Sequence, residues 1–373
     1  MKSLFRNITF SIVAILLLIP FFGCYNAQTR YARATSVIID SILQPTVFYP
    51  KTFDEQGRLY YYVKVFGVLK FFLSEKPAQD VNTLFWDYYQ AIKTSSSKEH
   101  FNQNIQNLIS SVHPDIRSML QKDISTVDWA NDTVYFDNTT AQYIATIEYC
   151  FRQDEKKSFY VKQNQLGIVE IIPPKASSFI NDTFPKEALR LWTMADYWNY
   201  INYFWVHKKL MDHNWDSVLY VNVPNFVNAQ NRREYILAVY RFIAYTDDTH
   251  VYFRNSDTTI AGHYIPNVRL TKIDNQFIVK KLRTNRTLIP SDTMLHVGDV
   301  IHTVNGIELS TYYDSLKHYF SASNHGTKVK KVAGYLLASF SPTNEVIISR
   351  NEIKDTLKLL FCHYKDYDYY EYD

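Results

Sequence analysis

Glycine occurs only nine times in the 373 residues, and that scarcity limits what the chain can build. Folds that cradle phosphates or set a nucleophile on a sharp elbow need glycine to bring backbone close to a ligand. No GxGxxG, no Walker sequence and no G-x-S-x-G elbow occurs anywhere. The packing side of the composition is rich, with 30 tyrosines, 24 phenylalanines and an apolar fraction of 46%. A chain of this length and composition predicts two or three packed domains and no disordered assembly.

Several function classes fall away early. The formal charge of +3 is spread without a basic block, which excludes an electrostatic footprint for nucleic acid. Eleven histidines are scattered with no HExxH and no paired Cys/His spacing, so neither metal nor cofactor is expected. His207 and His213 flank a loop and read as a solvated pair. Cys150 and Cys362 lie far apart and read as two buried free thiols, with pairing in an oxidising compartment the alternative.

The N-terminus reads as an export signal over Met1 to Ala27 (residues 1–27), with Lys2 and Arg6 before the apolar run Ile8 to Phe22. Gly23-Cys24 offers a lipoprotein cleavage point with Cys24 acylated, and Ala27-Gln28 an ordinary one. Both sites stay open, and both predict a protein outside the cytoplasm, in the periplasm or lipid-anchored at the outer membrane.

Two aromatic-rich stretches predict helical units, at 30–112 and 180–258. Arg58 to Phe72 leads the first and Arg190 to Phe204 the second. A Trp-Asp pair follows each, Trp86-Asp87 and Trp215-Asp216, and then an amphipathic helix, Glu99 to Ile109 and Arg233 to Ile243. The shared order suggests an internal duplication. Pro185 marks a helix start, with Leu189, Trp192, Tyr197, Tyr200, Ile201 and Phe204 as its buried stripe. Asn214 is a fair N-cap for Trp215 to Val221, which Pro224 ends.

Between these units, 113–175 reads as β-rich, with strands at Thr133–Phe136, Tyr143–Tyr149, Ser158–Val161 and Gly167–Ile172. Strand alternation returns over 262–360, at Val268–Leu270, Phe277–Lys281, Val300–Val304 and Val346–Ser349. Helices are expected near Ser310–Phe320 and Lys328–Leu337. The acidic, Tyr-rich stretch 361–373 reads as a frayed tail.

The most specific local pattern is Gly298-Asp299-Val300-Ile301-His302-Thr303-Val304-Asn305-Gly306, a turn, a buried strand and a two-residue hairpin turn. It resembles the core of PDZ domains in exported bacterial proteases. Phe66-Gly67-Val68-Leu69-Lys70-Phe71, Tyr197-Trp198-Asn199-Tyr200, Asn214-Trp215-Asp216, Asp248-Thr249-His250 and Ser323-Asn324 extend the resemblance. Together they are similar to the tricorn-core branch of the C-terminal-processing serine peptidases (peptidase family S41).

That resemblance implies a multi-domain α+β chain: duplicated helical units, a β-rich insert and a PDZ-like domain. The α/β domain that would carry the nucleophilic serine in that family finds no match in this sequence, and a homologue lacking it is the expectation. It implies His250 as the general base, with Thr249 helping to orient the site. It also implies a peptide groove walled by Gln276, Phe277, Ile278 and Val279 on a strand and Tyr312, Leu316 and Phe320 on a helix. The expected partners are peptides or protein C-termini and, in a second reading, a separate chain supplying the serine. An envelope scaffold is the third.

Overall fold

In the computed structural model the described residues are 48–73, 76–120, 127–153, 158–163, 169–171, 184–251, 260–282 and 294–363. The expected signal segment with Cys24 and residues 364–373 of the tail lie outside them. The protein is mixed α+β, with helices and antiparallel sheets. It divides into two compact units, residues 1–235 and 236–373, each described by itself below.

The first unit is organised around α1 (Glu55–Phe71). The Asp54 carboxylate accepts from Gly57 N–H at 2.7 Å and caps its first turn. Hydrophobic and aromatic residues occupy every side of α1, so no exposed face exists, and Leu59 to Phe71 is buried throughout. A helix apolar all round must be surrounded. It is packed by α2 (Val81–Lys93), α3 (Lys98–Val112), α5 (Asn138–Gln153), α6 (Glu187–Phe204) and α7 (Trp215–Val227). Short α4 (Ile116–Met119) precedes α5.

Gly67 lets α6 approach, because a Cβ there would sit 1.8 Å from Asn199 Oδ1. Two lysines of α1 are buried and paired. Lys64 Nζ meets Asp216 Oδ1 at 3.0 Å, and Lys70 meets Asp196 and, at 3.1 Å, Asn82 Oδ1.

The helix-helix-helix order recurs as α6, α7 and α8 (Arg232–Ala244). The two Trp-Asp pairs do not correspond within it. Trp86 lies in the middle of α2, whereas Trp215 opens α7. The caps preceding these helices match better: Asp80 accepts from Thr83 N–H at 2.9 Å and Asn214 from Ser217 N–H at 2.8 Å. Pro224 lies inside α7 and does not end it. The carbonyl its missing N–H leaves, that of Tyr220, accepts instead from Gln56 Nε2 at 2.8 Å. In α6 the buried stripe is Leu191, Met194, Ala195, Trp198 and Ile201 with Tyr197. Leu189, Trp192, Tyr200 and Phe204 are only half-buried.

The expected strands at Thr133–Phe136 and Tyr143–Tyr149 are absent. Thr133–Phe136 is a turn held by Asp132, whose side chain accepts from Val134 N–H at 2.9 Å and from Tyr61 OH at 2.5 Å. Tyr143–Tyr149 belongs to α5, capped by Asp137 through Thr140 N–H at 2.7 Å. Burial of Thr140, Tyr143, Ile144 and Ile147 at helical spacing outweighs the β preference of the branched residues. A short pair, β1 (Val161–Gln163) with β2 (Val169–Ile171), is what remains of the β-rich segment; Ser158–Tyr160 precedes it without strand structure. Gly167, Ile168 and Ile172 lie outside the described residues.

The second unit is an antiparallel sheet of order β4-β5-β6-β8-β9, with β7 paired to β6. Its strands are β4 (Val268–Ile273), β5 (Gln276–Leu282), β6 (Val300–Val304), β7 (Ile307–Glu308), β8 (Thr343–Arg350) and β9 (Ile353–Leu360). A small pair, β3 (Tyr264–Ile265) with β10 (Cys362–His363), lies apart from it. Helices α9 (Leu309–Leu316) and α10 (His325–Ala333) complete the unit. One core joins Leu270, Phe277, Val279, Ile301, Leu316 and Ile348.

Three two-residue hairpins set the register. Asn305 and Gly306 have φ of 50° and 77°, the mirror-image turn expected of that pair, and Val304 pairs Ile307 across it. Asp274-Asn275 and Asn351-Glu352 turn the same way.

Candidate functional site

The Asp-Thr-His motif lies just past the end of α8, where Asp247 turns the backbone at φ 50°. Thr246 Oγ1 donates to the Ile243 carbonyl at 2.6 Å and closes the last helical turn. The following backbone is bound to residues 321–323. Asp248 N–H donates to Ser321 Oγ at 2.9 Å and Thr249 N–H to Ser323 Oγ at 3.0 Å, while Ser323 N–H returns to Thr249 Oγ1 at 3.1 Å. Lys331 Nζ donates to the carbonyls of both Thr249 and Ser321, each at 2.7 Å. Burial pushes the Lys331 pKa down, against the pull of Asp248.

This arrangement presents His250. Its ring Nδ1 lies 3.1 Å from Asp248 Oδ1, which also accepts from the His250 N–H at 3.0 Å. A carboxylate at Nδ1 fixes the tautomer with Nε2 as the open acceptor. The His250 side chain is 77% exposed. Asp248 touches the ring, and Thr249 is engaged with Ser323. Asp248 adjoins both in the sequence and was legible there. The Ser323-Asn324 pair has its reason here too, since Asn324 caps α10 through Thr327 N–H at 2.8 Å. Among the described residues no hydroxyl is bonded to the His250 ring, so the site carries an oriented base without an assembled nucleophile.

The residues expected to wall a peptide groove are mostly turned into the fold. β5 is paired with β4 along its length and, on its other side, with β6 at Phe277 and Ile278, so over those two residues it offers no edge to an added strand. Phe277, Val279, Leu316 and Phe320 are core residues, Ile278 and Tyr312 are half-buried, and only Gln276 is exposed. The sequence identified a strand and a helix, but the residues named on them, Gln276 apart, are buried or half-buried.

An open groove of roughly 800 Å³ is lined by β4, by Lys280 and Lys281 of β5 and by α10, one helix later than the expected one. β4 ends the sheet, and among the described strands only β5 pairs with it. α10 packs beside it, with Val332 and Ala333 buried and Val329 and Lys330 turned to the groove. The signal that pointed here was the alternation of Val268, Leu270 and Lys272 followed by an Asp-Asn turn. In a sequence such a strand cannot be told from an interior one.

Neither Cys150 nor Cys362 is in a disulfide, and each is half-buried, not buried. No group of three His, Cys, Asp or Glu side chains is placed to hold a metal among the described residues. No described helix is long and apolar enough to cross a membrane. No protein-family model and no curated protein matches the chain.

Proposed function

We propose that this protein binds an extended peptide or a protein C-terminus as an additional strand on the outer edge of β4, alongside α10. The observation that carries the reading is an edge strand and a helix that both line an open groove. Strand addition uses the unpaired side of a sheet edge for main-chain hydrogen bonds, and the adjoining helix supplies side-chain contacts. In this reading residues 262–360 are a PDZ-like module, and the recurring helix triplets are duplicated tricorn-type units. The chain is exported to the envelope, with Cys24 as one possible lipid anchor.

Hydrogen exchange of the protein with a C-terminal peptide library tests it. Slowed exchange over 268–273 is expected. Absence of any binder, or protection confined to β9 at the opposite edge, would sink the idea.

A second reading rests on the Asp248–His250 pair. An oriented, exposed base supports serine peptidase chemistry if a separate catalytic subunit supplies the hydroxyl. A fluorophosphonate adduct that forms only with a partner chain, and is lost in His250→Ala, is its expected signature. An adduct indifferent to His250 would remove it.

A further inference from the structure

We propose that the peptide taken by the β4–α10 groove is acidic, an inference that rests on the strand-addition reading above. Five lysine or arginine residues line the groove: Arg269 and Lys272 of β4, Lys280 and Lys281 of β5, and Lys330 of α10. One acid, Asp274, stands among the lining residues, at the β4–β5 turn. The whole chain carries 40 basic and 37 acidic residues, so this concentration of one sign is local.

Edge strands often carry lysine simply to discourage pairing with other chains. That explanation accounts for the charges on β4 alone. Lys280 and Lys281 lie on the next strand and Lys330 on a helix, so basic residues of three elements line one concavity. Lys272 also has a packing role, with Nζ 4.4 Å from the centroid of the Tyr313 ring. Lys280 and Lys330 are exposed, which leaves their ammonium groups able to meet a ligand. A cleft lined by one sign focuses the field and raises the local concentration of the opposite charge. An extended peptide carrying glutamate or aspartate at alternate positions gains from that field and from the β4 edge together.

The test uses the mature full chain and two fluorescent eight-residue peptides. One alternates valine with glutamate; the other has glutamine at each glutamate. Anisotropy titrations at low salt are expected to show the glutamate peptide binding about tenfold tighter, and the advantage should shrink as salt is raised. The double variant Lys280→Glu/Lys330→Glu changes exposed side chains only and should keep its melting temperature. It should lose the preference for the glutamate peptide over the glutamine one.

Equal affinity for the two peptides would overturn the acidic preference and leave strand addition standing. So would a preference that survives the charge reversal. Failure of both peptides to bind would remove the groove reading, and this inference with it.

Discussion

Arg350 holds Asp299 with both arms of its guanidinium, Nε to Oδ1 and Nη2 to Oδ2, each at 2.7 Å. The pair ties the start of β6 to the end of β8, and the Asp299 carboxylate also accepts from His296 N–H at 2.7 Å. Asp299 is 1% exposed. Burial alone would raise its pKa, but the Arg350 fork and the His296 amide outweigh that and hold the carboxyl below the usual range. A depressed folded-state value means stability that is present above the unfolded Asp value of about 3.9. It is lost as the pH falls through the lower folded value. Asp299→Asn should therefore cost about 2 kcal/mol at neutral pH. Urea melts of both proteins should converge as the pH is taken below about 4. A gap unchanged in acid would show that the carboxylate charge contributes nothing.

The Lys64–Asp216 pair makes a different prediction because both members are largely buried, with side-chain exposures of 4% and 21%. Burial pushes the Lys64 pKa down while Asp216 pulls it up. Lys64 also lies over the Tyr60, Trp129 and Trp198 rings. Removing only the carboxylate, as Asp216→Ala, leaves an uncompensated ammonium and should cost about 3 kcal/mol. The double variant Lys64→Met/Asp216→Leu should recover most of it, because a packed apolar pair needs no solvation. Chemical denaturation of the two variants decides the matter. A double variant as unstable as the single one would show that the pair holds α1 to α7 in a way apolar packing does not replace.

Most helices were legible in the sequence, and the reason is local. Asp54, Ser97 and Asn214 are caps that act within their own first turns, and such local signals do not depend on distant partners. The Asn305-Gly306 hairpin was legible for the same reason. What failed depended on distant partners. α5 looked like a strand because its branched residues favour one until burial on nearly all sides is known. β9 went unseen because its first four residues are exposed and its turn uses Glu352 at φ 66°, where glycine is the usual signal. That β5 is flanked by β4 and β6 was not legible, because a sequence shows that a strand exists without showing which strands flank it.

The loop bearing His250 should be insensitive to its histidine and sensitive to Lys331. Among the described residues His250 is bonded only within its own turn, so His250→Ala should change stability by no more than about 0.5 kcal/mol. Lys331→Met removes the donor shared by the Thr249 and Ser321 carbonyls and should cost about 1–2 kcal/mol. Amide exchange over 248–251 should quicken in Lys331→Met alone. Equal quickening in both variants would mean that the histidine, not the lysine, braces the loop.

Gly67 and Asn199 form a contact that a single methyl group cannot enter. A Cβ at position 67 would fall 1.8 Å from Asn199 Oδ1 and 2.3 Å from its Cγ. The Asn199 amide cannot easily swing aside, because its Nδ2 donates to the Val63 carbonyl at 2.8 Å and the Ala195 carbonyl at 2.9 Å in a fully buried site. Alanine favours a helix over glycine by about 1 kcal/mol, so an unobstructed site would gain. Overpacking costs about 1–3 kcal/mol and losing a buried amide's hydrogen bonds adds to it, so Gly67→Ala should be destabilising by about 2 kcal/mol. Shortening the neighbour reverses the balance: in an Asn199→Ala background Gly67→Ala should cost less than about 0.5 kcal/mol, or stabilise. Thermal melts of the four proteins complete the cycle. Equal cost in both backgrounds would show that α1 and α6 are held apart by something other than the asparagine.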